Sequence, residues 1–209
     1  MSTRARHTAS RRGRRSDRVS VVGSTGSGKT TFARELARRL GVPHVELDAL
    51  NWGPNWTMVP VEVFRDRIGR AVEGDRWVID GNYAGRGARD LVWPRADTVI
   101  WLDPPLGVIF ARLFKRALRR IRSREEIWPG TGNRETYRNQ FLSRDSLFWW
   151  AVKTYRRRRR ELPELLARPE HVHLTVHRFR RREEVAAWLS SQPEREPPPR
   201  RSQRLPQRP

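Results

Sequence analysis

Short runs of apolar residues alternate along the chain with longer segments in which apolar residues recur every three or four positions. Short apolar runs are typical of buried strands, and the longer spacing predicts helices that cover them. The alternation predicts an α/β protein with a five-stranded parallel sheet and helices on both faces, which makes three layers. The predicted strands lie in RVSVVG (18–23), HVELDAL (44–50), RWVIDG (76–81), DTVIWLD (97–103) and HVHLTVH (171–177). Within HVELDAL the strand should end at Asp48.

The helical spacing is clearest directly after the first strand, over residues 29–40. A second helix is predicted over 60–74, and it should turn Val61, Phe64 and Ile68 inward. The first helix should bury Phe32, Ala33, Leu36, Ala37 and Leu40, and Gly41 should end it. Further helices are predicted over about 105–122, over a long segment that includes Phe148 and Tyr155, and over 181–189.

The two ends of the chain differ from the middle in composition. Residues 1–17 and 191–209 are rich in Arg, Ser and Pro and have no apolar periodicity, so we expect disordered tails around one domain over 18–190. The chain has no cysteine, which excludes disulfides, thiolate metal sites and cysteine nucleophiles. It has no run of about 18 apolar residues and no signal-peptide core, so we expect a cytoplasmic protein without a membrane span.

The formal net charge is +21, and most of the excess lies in the two tails and in residues 112–161. A concentrated basic segment favours a surface that binds nucleic acid. The alternative is a solvated surface whose arginine content follows coding composition. The sequence leaves both interpretations open.

The sequence GSTGSGKT (23–30) has the pattern G-x-x-x-x-G-K-[ST] between a predicted strand and a predicted helix. Glycines let backbone N–H groups converge on an anion, and the start of the helix adds its positive dipole. In this pattern the lysine reaches the β and γ phosphates and the hydroxyl binds Mg²⁺. The loop therefore predicts a site for ATP or GTP with Mg²⁺. Its residues are Gly23, Ser24, Thr25, Gly26, Ser27, Gly28, Lys29, Thr30 and Thr31, with Thr30 as the first metal ligand.

A magnesium site needs a second acid at a strand end beside this loop, and three aspartates are candidates. Asp80 follows Trp77-Val78-Ile79 and is the best candidate, and Gly81 behind it would leave space for a ligand; the alternative is an Asx turn. Asp48 is the better candidate for contact with the phosphate acceptor, as a base or by gripping a hydroxyl, unless it is a turn residue. Asp103 most simply caps the following helix.

The basic segment supplies cations for phosphoryl transfer. Arg112 and Arg116 lie on the helix after the fourth strand, and they would lead a small arginine-rich lid over about 116–140. Arginine suits this task because it grips phosphate through two hydrogen bonds while a closing lid excludes water. The run Arg156–Arg160 is different, because five successive helical positions point in every direction and do not form one gripping face. We expect these side chains to interact with the C-terminal end of the helix and with solvent, and nucleic acid is the alternative partner.

Several segments together give the chain a resemblance to a known family. The segments are GSTGSGKT, LDALNW (47–52), WVIDGNY (77–83), ADTVIWLDPP (96–105) and the pair Arg112 and Arg116. The chain resembles the adenylate-kinase-like branch of the P-loop kinases, and most closely the bacterial topology-modulation (FlaR-related) proteins. The resemblance implies the sheet order 2-3-1-4-5, ATP as donor, and Mg²⁺ oriented through water by the aspartate at position 80.

The chain departs from this family where the acceptor binds. Adenylate kinases continue Asp-Gly-Phe-Pro-Arg, and that arginine holds the phosphate of the acceptor, whereas this chain reads Asp80-Gly81-Asn82-Tyr83-Ala84. AMP is therefore disfavoured as the acceptor. We expect the acceptor, a small molecule such as a nucleotide or nucleoside, to contact Asp48, Asn51, Trp52, Gly81, Asn82 and Tyr83.

The sequence thus predicts a monomeric, Mg²⁺-dependent enzyme that moves the γ-phosphoryl group of ATP to a small acceptor. Its predicted catalytic residues are Lys29, Asp48, Asp80, Arg112 and Arg116. One alternative is an ATP-hydrolysing protein that associates with DNA through the basic segment. Another is an inactive nucleotide binder.

Overall fold

The computed structural model describes residues 17–123, 126–128, 130–133 and 147–195. The strands are β1 (Arg18–Gly23), β2 (His44–Glu46), β3 (Trp77–Asp80), β4 (Thr98–Leu102) and β5 (Thr175–Phe179). The helices are α1 (Lys29–Leu40), α2 (Leu47–Asn51), α3 (Val61–Ala71), α4 (Ala88–Val92), α5 (Leu106–Ser123), α6 (Leu147–Leu166) and α7 (Arg182–Ser190). Residues 1–16, 196–209 and 134–140, which belong to the predicted tails and lid, lie outside the described residues.

The strands form one parallel sheet in the order β2-β3-β1-β4-β5. This order and the five parallel strands confirm the predicted fold. The phosphate loop follows β1, the central strand, and β3 and β4 pair on either side of it. Because parallel strands end at the same edge of the sheet, Asp80 and Asp103 are brought to the two flanks of the loop.

Each face of the sheet is covered by its own hydrophobic core. The α1 face buries all five residues that the helical spacing predicted, together with Val19, Val21, Val78 and Ile100 from the strands. The other face packs α3, α4 and α6 on Trp77, Ile79, Val99 and Trp101. Phe64 and Ile68 are buried there, but Val61 is 39% exposed, so its predicted inward position is wrong. The buried stripe of α3 begins only in its second turn.

Two predicted strand boundaries are wrong. β2 ends at Glu46, and the chain then turns into α2, so Asp48 lies in the first turn of a short helix rather than at a strand end. β5 begins at Thr175, four residues later than predicted, because its neighbour β4 begins only at Thr98, which pairs with Thr175.

No helix in the described ranges has the length and apolar character needed to cross a bilayer.

Candidate functional site

The phosphate loop connects β1 to α1, and its lysine is folded back over it. Lys29 Nζ donates a hydrogen bond of 3.2 Å to the carbonyl oxygen of Ser24. Gly28, with φ of 97°, occupies the left-handed region directly before α1, where a glycine is favoured. Burial lowers the pKa of Lys29, while the carboxylates of Asp48 and Asp80 act in the opposite direction. The ammonium therefore lies between the loop and two acids.

One large cleft runs from this loop to the predicted acceptor residues. Its volume is about 2320 Å³, which exceeds the roughly 300–1,000 Å³ typical of a single ligand pocket. Of the predicted site residues, Thr25 to Thr31 of the loop, Asp48, Asn51, Trp52, Gly81, Asn82, Tyr83, Arg112 and Arg116 line it.

Asp80 lies beside the phosphate loop and is almost fully buried, with 1% of its surface exposed. Its Oδ1 accepts a 3.1 Å hydrogen bond from the Thr30 hydroxyl, and its Oδ2 lies 2.7 Å from His44 Nε2. A hydroxyl and a carboxylate side by side are the oxygen ligands that Mg²⁺ prefers, so these residues fit the predicted metal. Sequence reasoning missed His44, because nothing in the pattern of β2 singles it out.

The described part of the chain holds no cluster of three or more His, Asp or Glu side chains that could bind a metal by itself. Mg²⁺ commonly binds to one or two protein oxygens and completes its shell with phosphate oxygens and water. The site therefore fits a metal that arrives with a nucleotide.

Asp48 and Tyr83 form a hydrogen-bonded pair on the acceptor side of the cleft. The Tyr83 hydroxyl donates to Asp48 Oδ1 at 2.6 Å, and burial together with the charge of Asp48 raises the pKa of Tyr83. Tyr83 has φ of 26°, an uncommon value for a residue with a side chain. Such strained backbone conformations cluster at functional sites.

The space beside Gly81 is filled by protein rather than kept for a ligand. A Cβ atom at Gly81 would lie 2.6 Å from the Cβ of Leu47, and the φ of Gly81 is 136°. The expectation that Gly81 leaves room for a ligand is therefore wrong. Gly81 instead lets Leu47 pack α2 against β3, which fixes the helix that carries Asp48.

The amide of Asn82 is occupied by the phosphate loop. Asn82 Nδ2 donates to the carbonyl oxygen of Gly23 at 2.8 Å, and Oδ1 accepts from the N–H of Gly23 at 3.3 Å. This pairing holds the first residue of the loop. The expected contact of Asn82 with the acceptor remains a prediction, and its observed partner lies on the nucleotide side.

Asn51 is completely buried, and neither its Oδ1 nor its Nδ2 has a hydrogen-bond partner among the residues that the structure describes. Unpaired buried amide groups are rare and costly, so this one calls for an explanation. Trp52 lies next to it and packs edge-on against Trp56 with ring centroids 5.8 Å apart. The predicted acceptor residues thus include the unpaired amide of Asn51 and, next to it in the chain, Trp52, which packs against a second tryptophan.

Thr131 and Asn133 are hydrogen-bonded to the loop after α2. Asn133 is fully buried; its Nδ2 donates to Gly53 O at 2.9 Å and its Oδ1 accepts from Trp56 N–H at 2.7 Å. Trp128 packs edge-on against Trp56 at 5.9 Å. Part of the segment predicted as a lid therefore contacts the loop that follows the predicted acceptor residues Asn51 and Trp52.

Two arginines approach the phosphate loop from different helices. Arg112 Nη1 donates to Ser27 O at 2.7 Å, which brings the predicted arginine to the loop. Arg158 Nη1 donates to Gly23 O at 3.3 Å, and burial lowers the pKa of Arg158 to about 10. The sequence interpretation placed Arg158 in a solvated run, so its position at the loop is new.

Asp103 also has partners that the sequence did not indicate. Its Oδ2 accepts from Arg178 Nη2 at 2.5 Å and from Arg159 Nε at 3.1 Å. Arg180 Nε lies 3.7 Å from the same oxygen, so the buried carboxylate pairs with three arginines, and the expectation that Asp103 caps the next helix is wrong. The contact with Arg159 holds α6 against the end of β4 and so supports the adjacent Arg158.

DNA binding by the remaining arginines stays a prediction.

The chain matches no family model. It is 33% identical over 141 residues to a cytidylate kinase from Pyrobaculum neutrophilum, and the alignment covers 57% of this chain and 72% of that protein. The chain belongs to the family of P-loop kinases that includes this cytidylate kinase. The predicted kinase class is thereby confirmed.

Solved structures share the fold at low sequence identity. A shikimate kinase from Acinetobacter baumannii in complex with shikimate matches with a TM-score of 0.50 and 16% identity, over 83% of this chain and 91% of that chain. A gluconokinase from Sinorhizobium meliloti 1021 matches with a TM-score of 0.47 and 19% identity, over 84% and 92%. None of these relatives is a topology-modulation protein, so that part of the resemblance stays a prediction.

Proposed function

We propose that the protein is an ATP-dependent phosphotransferase that moves the γ-phosphoryl group to a small acceptor in the cleft. The observation that carries the proposal is the 3.1 Å hydrogen bond between Thr30 and Asp80, because a loop hydroxyl and a strand-end aspartate are the side chains that hold Mg²⁺ in P-loop enzymes. The relationship to a cytidylate kinase supports the same reaction class.

The residues around the loop divide the work of binding and charge stabilisation. The loop amides and Lys29 would hold the phosphates. Arg112 and Arg158, which donate to the loop carbonyls of Ser27 and Gly23, would stabilise the negative charge that develops during transfer. Thr30 and Asp80 would hold Mg²⁺, which would supply positive charge to neutralise the phosphates.

The acceptor binds at Asp48 in this proposal. Asp48 lies close enough to Lys29 to influence its pKa, and Tyr83 orients the carboxylate through one oxygen. The second oxygen of Asp48 is then available to accept a hydrogen bond from a hydroxyl of the acceptor, which in a nucleotide would be a ribose hydroxyl. Cytidine nucleotides are the first candidates, because the relative is a cytidylate kinase.

A panel assay tests the proposal. Purified protein is incubated with ATP and Mg²⁺ and, in separate reactions, with CMP, other nucleoside monophosphates, cytidine, shikimate or gluconate, and ADP release is measured. We expect at least one acceptor to raise ADP release well above the rate without acceptor, and Asp48→Asn to abolish that increase. ADP release that no acceptor changes would contradict the proposal and favour an ATPase.

A further inference from the structure

His44 is the second side chain that binds the buried carboxylate of Asp80. Its Nε2 lies 2.7 Å from Asp80 Oδ2, while the Thr30 hydroxyl donates to the other oxygen, Oδ1, at 3.1 Å. Since an ionised carboxylate only accepts hydrogen bonds, His44 is the donor. The two oxygens of Asp80 are therefore held by two different elements, β2 and α1.

The register of the sheet explains how His44 reaches Asp80. In the parallel pairing of β2 with β3, His44 lies opposite Val78 and Glu46 lies opposite Asp80. Residues two apart on a strand point to the same face, so His44 and Asp80 share the α1 face of the sheet, as diagonal neighbours. A long side chain at position 44 is needed to span this diagonal.

We propose that His44 is a positioning residue that fixes the rotation of the Asp80 carboxylate so that Oδ1 faces Thr30. The proposal rests on the proposed function, because it assigns Thr30 and Asp80 to the metal of the nucleotide. The terminal torsion of an aspartate has a broad energy well, so without a second partner the carboxylate can turn away from Thr30. His44 thereby sets the affinity of the site for Mg²⁺ while it touches neither the metal nor the nucleotide.

Binding of ADP with and without MgCl₂, measured by isothermal titration, separates this role from a general structural one. His44→Phe keeps an aromatic ring and removes the donor. Partners of metal ligands typically change metal affinity by 10–100-fold, so we expect the Mg²⁺-dependent gain in ADP affinity to fall by about 10-fold. ADP affinity without Mg²⁺ should stay within about 2-fold of wild type, since the loop is untouched.

Two further variants at position 44 test the hydrogen bond itself. His44→Gln has an amide N–H that reaches about as far as Nε2, so it should retain most of the Mg²⁺-dependent gain. His44→Asn is too short and should lose it. If the Phe variant does not fold, the Gln and Asn pair gives the same decision.

His177→Phe is the matched control, because His177 lies on β5 at the opposite edge of the sheet and stacks on Phe179. It should leave the Mg²⁺-dependent gain unchanged. A double-mutant cycle adds a second control: with Asp80→Asn already present, His44→Phe should cause no further loss, since the two residues act as one unit.

Three results would overturn the inference: an unchanged Mg²⁺-dependent gain in His44→Phe, equal losses in the Gln and Phe variants, or additive losses in the cycle with Asp80→Asn. A wild-type protein that does not bind ADP would instead overturn the proposed function. The two failures are therefore distinguishable.

Discussion

The guanidinium of Arg158 donates a hydrogen bond to the carbonyl oxygen of Gly23, the first residue of the phosphate loop. The contact joins α6 to the end of β1, and the neighbouring Arg159 pairs with Asp103 at the end of β4. Burial lowers the pKa of Arg158 to about 10, so the side chain remains charged at neutral pH. A cation is thus held beside the first residue of the phosphate loop.

Arg158→Gln should lower kcat by about 100-fold, the usual effect of removing one donor that stabilises a charged transition state, and should change ATP affinity much less. Steady-state kinetics with an acceptor found in the panel measures this. Arg156→Gln is the control, because Arg156 is exposed on the same helix. Equal losses in the two variants would show that α6 contributes only general positive charge.

Tyr83→Phe removes the 2.6 Å hydrogen bond to Asp48 while keeping the ring. Hydrogen bonds to charged groups contribute about 1.5–3 kcal/mol, so we expect the KM for the acceptor to rise by about 10-fold or more. The KM for ATP should be unchanged, since Tyr83 is not part of the phosphate loop. If the KM for ATP rises instead, the pair serves the nucleotide side.

Gly81→Ala should destabilise the fold, because the new Cβ would lie 2.6 Å from the Cβ of Leu47 at a φ that side chains rarely adopt. Overpacking of this kind costs about 1–3 kcal/mol. Gly85→Ala is the control, since no atom lies within 4 Å of a Cβ at that position. Thermal unfolding measures all of these variants, and a Gly81→Ala protein as stable as Gly85→Ala would contradict the packing role.

Glu46→Gln tests how the charges of Asp80 and Asp48 act on Glu46. Burial and the nearby charges of Asp80 and Asp48 raise the pKa of Glu46 above its ordinary value of 4.5. A raised pKa means that the folded protein holds the proton of Glu46 more tightly than the unfolded chain does. The contribution of Glu46 to stability is therefore present below pH 4.5 and is lost as the pH rises through the pKa of Glu46 in the folded protein.

The Gln variant stays neutral at every pH, so its Tm should exceed that of wild type by an amount that grows from acidic toward neutral pH. Unfolding curves over this range measure the difference, with the exposed Glu62→Gln as control. A Tm difference that does not change with pH would show that Glu46 is not the titrating group.

The sequence predicted the elements that depend on neighbours along the chain. The spacing of apolar residues in α1 predicted its buried face. The sequence GSTGSGKT between a strand and a helix predicted the loop that holds Lys29. The apolar run before Asp80 also placed that acid correctly beside Thr30. Each of these signals lies within a few residues, where periodicity and turn chemistry determine the structure.

The contacts that the sequence missed join distant segments. Arg158 and Gly23 are 135 positions apart, and nothing in a run of five arginines marks the one that turns inward. Gly81 was interpreted from its place after an acid, but its neighbour Leu47 is brought there by the pairing of β2 with β3. Such contacts depend on how the elements pack, which local patterns do not encode.

The central claim, that the phosphate loop is an ATP site, is tested most directly by the ATP affinity of Lys29→Ala. Lys29 is folded over the loop by its bond to Ser24 O and is the lysine expected to reach the β and γ phosphates. Equilibrium titration of ATP with Mg²⁺ into wild-type and Lys29→Ala protein gives the two dissociation constants. We predict that Lys29→Ala binds ATP at least about 100-fold more weakly, the loss of a charged hydrogen bond of about 3 kcal/mol. An unchanged affinity in a folded variant would contradict the assignment.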